Sequence, residues 1–291
     1  MYKFCPILKT LVWGTENWVL SSVPGSESVV SEGPEAGRTL TEVYGGRFPL
    51  LVKFIDARKD LSIQVHPDDC LAARRHGCSG KTEMWYIIGA DEGAHLISGM
   101  SREITPEEYV ELVAQDRIVD ALCDHKVAPG DVFFLPAGRI HAIGGGCFLA
   151  EIQQTSDITY RIYDYNRPGL DGRPRQLHTE LAREAIDYSV SDNYRSDYNL
   201  VKDEETVIVS CRHFTTSLFD ITRPCTFRTP GYVPDGMSGD GKWCAVVCLE
   251  GSGTVNGVGI RAGESLLLTP EEPSFALAPD SGPFKLLTGY V

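Results

Sequence analysis

The stretch Gly130-Asp-Val-Phe-Phe-Leu-Pro136-Ala-Gly138-Arg-Ile-His141 decides the fold class. Val132 to Leu135 is a short apolar run of strand length. A glycine leads into it and a proline–x–glycine turn leaves it. Proline presets one turn dihedral, and glycine accepts a positive one. His141 then opens the next strand. The same rhythm continues outward. Strand candidates are 50–56, 61–66, 83–88, 148–153 and 159–163, then 207–210, 216–221, 243–249, 265–268 and 284–287. The 29 glycines and 17 prolines punctuate these runs too closely for helices to alternate with strands. The chain is therefore expected to be all-β and antiparallel. Gly263 to Pro270 reads as the same strand-and-turn element used a second time.

One helical insertion interrupts the pattern. Thr105-Pro106-Glu107-Glu108 has the form of a capping box with proline at the first helical position. Tyr109, Leu112, Val113, Val119 and Leu122 recur at helical spacing, which predicts an insertion over about 104–125. A second short helix is predicted after Asp68, from Leu71 to Arg75, with Gly77 as its stop.

The 291 residues suggest two domains. The polar stretch Asp187–Glu205 is the natural linker, giving a domain of residues 1–195 and one of residues 196–291. Only His213 among the seven histidines follows that stretch, so metal chemistry is expected in the first domain and a metal-free second one. The formal charge of −13 argues against nucleic acid, whose phosphates it repels. There is no signal-like N-terminus and no apolar run near the ~20 residues that span a bilayer. A cytoplasmic protein without a membrane partner is therefore expected, and in that setting nine cysteines, odd in number and irregular in spacing, are expected as reduced thiols. Cys244 and Cys248 lie in an apolar run without histidine, so small buried hydrophobes are expected there.

Leu61-Ser-Ile-Gln-Val-His-Pro67 carries the chemistry. Strand alternation puts Leu61, Ile63 and Val65 on one face and Ser62, Gln64 and His66 on the other. That polar row is either an inward-facing site or a solvated outer face. Lys81 and Glu83 share a face at the start of the apolar strand Met84-Trp-Tyr-Ile-Ile88. They are either a second polar row in a buried setting or an ordinary surface pair.

The spacing Gly130-x5-Pro136-x-Gly138-x2-His141 resembles the second motif of cupins, and Gln64-x-His66 followed by Glu83 resembles the first. The resemblance implies two cupin-type jelly-roll barrels, with Gln64, His66, Glu83 and His141 as metal ligands in the first. Two imidazoles, a carboxylate and an amide oxygen suit zinc, although the donor set alone leaves manganese, iron or cobalt open.

The runs at 49–69, 80–88, 134–146 and 151–167 together resemble type I mannose-6-phosphate isomerase in its short bacterial form. That family resemblance implies a zinc enzyme interconverting mannose 6-phosphate and fructose 6-phosphate through an enediol. It implies Arg161, Glu151 and Lys81 as catalytic residues, with Ser62, Lys53 and Arg161 on the substrate side. Glu151 is read equally as the base and as the group that orients Arg161. Lys53, Lys81 and Arg161 would give a sugar phosphate a local basic pocket inside an acidic protein, and Arg167, Arg173 and Arg175 follow within reach. A different metal-dependent cupin enzyme and a non-catalytic sugar-binding cupin are the competing readings.

Overall fold

The computed structural model describes residues 1–230 and 242–291. Strand accounts for 45% of the chain and helix for 12%, so the class is all-β and cupin-like. The chain divides into two compact units. One comprises Leu8–Glu16 and Phe54–Ser196; the other comprises Met1–Ile7, Asn17–Lys53 and Asp197–Val291.

The first unit contains a five-stranded sheet in the order Leu122–Lys126, His95–Met100, His141–Ile143, Ile63–Val65, Tyr160–Tyr163. A six-stranded sheet contributes to the same unit Val132–Leu135, Glu83–Ala90, Cys147–Gln154 and, in order, residues 54–57, 14–16 and 8–11. Apolar side chains from both sheets form one core, with Trp85, Ile87, Phe133, Leu135 and Leu149 from the six-stranded sheet meeting Leu96 and Ile143 from the other. The opposite face of the five-stranded sheet presents Ile63, Val65, Ala142, Tyr160 and Ile162 to helical residues including Tyr109, Leu112 and Ala182. Alternation therefore turns Gln64, His141 and Arg161 inward, toward the space between the sheets. Leu61 departs from the expected pattern. It precedes the strand, which runs Ile63–Val65, and packs in the inner core instead of with Ile63 and Val65.

The helical insertion is shorter than its periodicity predicts. Its start is as expected: the Thr105 hydroxyl accepts from the Glu108 N–H and Pro106 occupies the first turn. The α-helix ends at Ala114, and Asp116 takes a left-handed conformation (φ 57°). After a 3-10 turn, Leu122–Lys126 is a strand paired with His95–Met100. Helical spacing had counted Val119 as a core position, but Val119 is exposed. A sheet edge offering backbone partners outweighs local helical preference there. The second helix runs Asp69–His76, capped by Asp68 and stopped by Gly77 in the left-handed region. A further helix, Thr179–Ala185, had no sequence signal strong enough to predict it.

The second unit is built on a sheet whose central strands are Cys244–Val255 and Ser274–Tyr290. It repeats the motif of the first in detail. Gly130 N–H donates to Ile87 O, and Ile87 N–H donates to Asp131 O. Gly263 N–H donates to Cys248 O, and Cys248 N–H donates to Glu264 O. Both glycines have positive φ (95° and 88°), which is why glycine stands at each. In this register Glu83 faces Leu135 as Cys244 faces Leu268, and Trp85 faces Glu151 as Val246 faces Thr288. Cys244 and Cys248 are fully buried in the apolar core, and none of the nine cysteines is disulfide-bonded.

Candidate functional site

His141, Gln64 and Arg161 lie side by side across three neighbouring strands. His141 is the direct partner of Gln64 in one strand pair, and Arg161 is the partner of Gln64 in the next. Directly opposed residues on antiparallel strands project to the same face, so the three side chains form one row. Ser98, opposite His141 on the other side, extends it. The Gln64 side-chain nitrogen is 3.3 Å from His141 Nε2.

Glu83 meets this row from the other sheet. Its Oε1 is 3.3 Å from His141 Nε2, and its Oε2 is 3.5 Å from His66 Nε2. One donor atom from each of His66, Glu83 and His141 lies within 4.8 Å of the others, and all three residues are buried. The remaining ring nitrogens are tied back. His66 Nδ1 is 2.8 Å from the Ile158 carbonyl, and His141 Nδ1 is 2.8 Å from the Arg139 carbonyl. A carbonyl only accepts, so each Nδ1 donates its proton there, and each Nε2 is left facing Glu83. Protein-held tautomers of this kind are typical of metal-binding imidazoles. Burial pushes the His141 imidazole down to about 4, against the raising effect of the Arg139 carbonyl, so the ring is neutral near pH 7. Two imidazoles and a carboxylate converging at a buried point fit a divalent metal ion. Gln64 would complete the set through Oε1, after a half-turn of its amide.

The other expected residues are distributed around this cluster. Lys81 Nζ is 2.9 Å from Glu83 Oε2 and 3.1 Å from His66 Nε2, and is buried. Glu151, buried beside the site, accepts from the Trp85 indole N–H at 2.9 Å. Trp85 in turn stands edge-on to His141, with ring centroids 5.4 Å apart. Arg161 donates from Nη1 to Gln176 O at 3.0 Å, while its Nε is buried with no partner among the described residues. Burial, then the charge of Arg175, lowers its proton affinity. Ser62 is buried just ahead of the Gln64 strand. Lys53 falls in the other compact unit, where its Nζ sits 5.1 Å over the Trp18 ring. Arg167 and Arg175 are both engaged by the Asp164 carboxylate, and Arg173 is exposed. Sequence reasoning did not single out Trp85, Ser98 or His178, whose Nδ1 accepts from the Arg161 backbone N–H at 3.0 Å. Their signal is tertiary, because each matters only through a neighbour distant along the chain.

Residues 16–114 match the catalytic domain of type I phosphomannose isomerase. Mannose-6-phosphate isomerase ManA of Bacillus subtilis is 32% identical over 271 residues, spanning 82% of this chain and 86% of that protein. The chain belongs to the type I phosphomannose isomerase family. Mannose-6-phosphate isomerase of Streptococcus mutans is a further relative, 38% identical over 219 residues and spanning 71% of this chain and 69% of its own. The crystal structure of the mannose 6-phosphate isomerase from Bacillus subtilis superposes with a TM-score of 0.87 at 29% identity, covering 100% of this chain and 99% of that one. The converging imidazoles and carboxylate lie within a fold shared with that enzyme along the whole chain.

Proposed function

We propose that this chain is a zinc-dependent mannose-6-phosphate isomerase, with Gln64, His66, Glu83 and His141 holding the metal. The observation that carries the reading is the convergence of two tautomer-locked imidazoles on Glu83, one strand away from Arg161. When bound, the metal would act as a Lewis acid on the oxygens of an open-chain sugar phosphate.

Aldose–ketose isomerisation moves a proton between C1 and C2 through an enediol, so it needs a base and a stabiliser of oxyanion charge. The Glu151 carboxylate is the base in this reading, held in orientation by the Trp85 N–H. The permanently charged Arg161 guanidinium faces the developing oxyanion. Lys81 balances the Glu83 carboxylate, and Ser62 and Arg161 serve the substrate side. The catalytic chemistry belongs to residues 1–195, with 196–291 metal-free. What supports that division is the duplicated motif, in which Cys244 and Thr288 stand where Glu83 and Glu151 stand. The free cysteines suit a cytoplasmic setting. No helix among the described residues is long and apolar enough to cross a membrane.

The test follows fructose 6-phosphate formation from mannose 6-phosphate in a coupled dehydrogenase assay. Zinc-loaded protein should turn over, and chelator-treated protein, His141→Ala and Arg161→Ala should not. No turnover with zinc present would overturn the reading, and turnover that survives chelation would remove the metal from it.

A further inference from the structure

Two adjacent glutamines end the strand Cys147–Gln154, and they are used differently. Gln154 spends both ends of its amide on the protein: Oε1 accepts from the Thr82 N–H at 2.9 Å, and Nε2 donates to Asp69 Oδ1 at 3.0 Å. Gln153 is fully buried and donates from Nε2 to two backbone carbonyls, Gln154 O at 2.8 Å and Ser156 O at 2.7 Å. That pair fixes the amide, since the flipped form would set its oxygen against two carbonyl oxygens. Gln153 Oε1 is left buried with no partner among the described residues.

Its position gives the atom meaning. Gln153 is the direct cross-strand partner of Glu83, so it projects onto the face that carries the metal-binding cluster, two residues beyond Glu151 on the same face. A buried acceptor without a donor has lost its hydration and gained nothing in exchange. Such an atom, held rigidly beside a site, is prepared for a donor that arrives with a ligand. Thr155 and Ser156, in the same short segment, also carry buried hydroxyls with no partner among the described residues.

We propose that Gln153 is a specificity-determining residue whose Oε1 accepts a hydrogen bond from one hydroxyl of the bound sugar. An acceptor-only group recognises a hydroxyl and rejects an analogue in which that hydroxyl is missing, because the acceptor is then stranded. The inference rests on the proposed sugar-phosphate substrate.

The test measures binding by calorimetry, using metal-loaded protein with mannose 6-phosphate and its 2-, 3- and 4-deoxy analogues. Wild-type protein should bind one analogue about tenfold more weakly than the parent sugar. In Gln153→Met that difference should fall to within about twofold, because no acceptor remains to be stranded. Gln153→Asn, which keeps the amide but withdraws it by one methylene, should show the same loss of discrimination if the methionine variant fails to fold. Parent binding with an unchanged analogue pattern in both variants would overturn this inference alone. Wild-type protein that binds no mannose 6-phosphate would overturn the proposed substrate as well.

Discussion

Lys81 Nζ lies 2.9 Å from Glu83 Oε2, and both side chains are buried. A buried ion pair has lost its hydration, so removing one partner leaves the other charge uncompensated at a cost of about 3–5 kcal/mol. Lys81→Met should therefore destabilise the metal-free protein by about 3 kcal/mol. A bound divalent ion would neutralise the same carboxylate, so the loss should be smaller after zinc loading. Urea unfolding with and without chelator checks this. Equal destabilisation in both states would mean that Glu83 does not face the metal.

Glu151 and Trp85 separate the base from the orienting role. Glu151→Gln preserves size and still offers an acceptor to the indole N–H, but it cannot take a proton. Loss of general base catalysis should lower kcat by about 10²–10⁴-fold, with the thermal midpoint nearly unchanged. Trp85→Phe removes only the hydrogen bond and should cost about 1 kcal/mol of stability with a smaller kcat loss. If Glu151→Gln retains kcat within a few-fold, Glu151 orients its neighbours and the base lies elsewhere.

Asp164 anchors the turn after the Arg161 strand. Burial raises its pKa, but hydrogen bonds and charges from Arg175 and Arg167 outweigh that effect and hold it below the usual carboxylate range. A depressed folded-state pKa means that the stabilisation is present above the unfolded value of about 3.9 and is lost as pH falls through the folded value. Asp164→Asn should cost about 2 kcal/mol at pH 7, and the gap from wild type should narrow below about pH 4. Stability curves from pH 7 to pH 2 decide the matter, and a constant gap would contradict it.

Gly99 adopts φ 80°, and a Cβ at this position would overlap the Tyr194 ring. Tyr194 is buried and donates from its hydroxyl to Met100 O at 2.8 Å. Gly99→Ala should lower stability by about 3 kcal/mol through overpacking and left-handed strain together. Combining it with Tyr194→Ala should recover part of the loss, as calorimetric melting of the single and double variants would show. No recovery would remove the ring contact as the cause.

The same contact explains what linker composition conceals. The polar stretch Asp187–Glu205 contains one of the points where the chain passes between the compact units, after Ser196, yet its Tyr194 is packed deep against Gly99. Composition registers polarity and cannot register one aromatic side chain finding a glycine almost a hundred residues away. The helical insertion teaches the same lesson from the other side. Its start was legible because Thr105 and Pro106 act on neighbours within one turn. Its end was not, because Leu122–Lys126 is a strand only through pairing with His95–Met100.

By itself the sequence determined the all-β class, the strands around Gln64, Glu83, Phe133, Glu151 and Arg161 but not His95–Met100 or Gly14–Leu20, the helix starts at Thr105 and Asp68, and the residue types that meet at Glu83. These follow from alternation, turn chemistry and capping, all of which operate over a few residues. Only the tertiary structure decided that His141, Gln64 and Arg161 form one row, that the Ile158 and Arg139 carbonyls lock the two imidazoles, and that Gln153 and Gln154 have opposite uses. Cross-strand register and backbone hydrogen bonds between distant segments set those relationships, and nothing local to each residue encodes them.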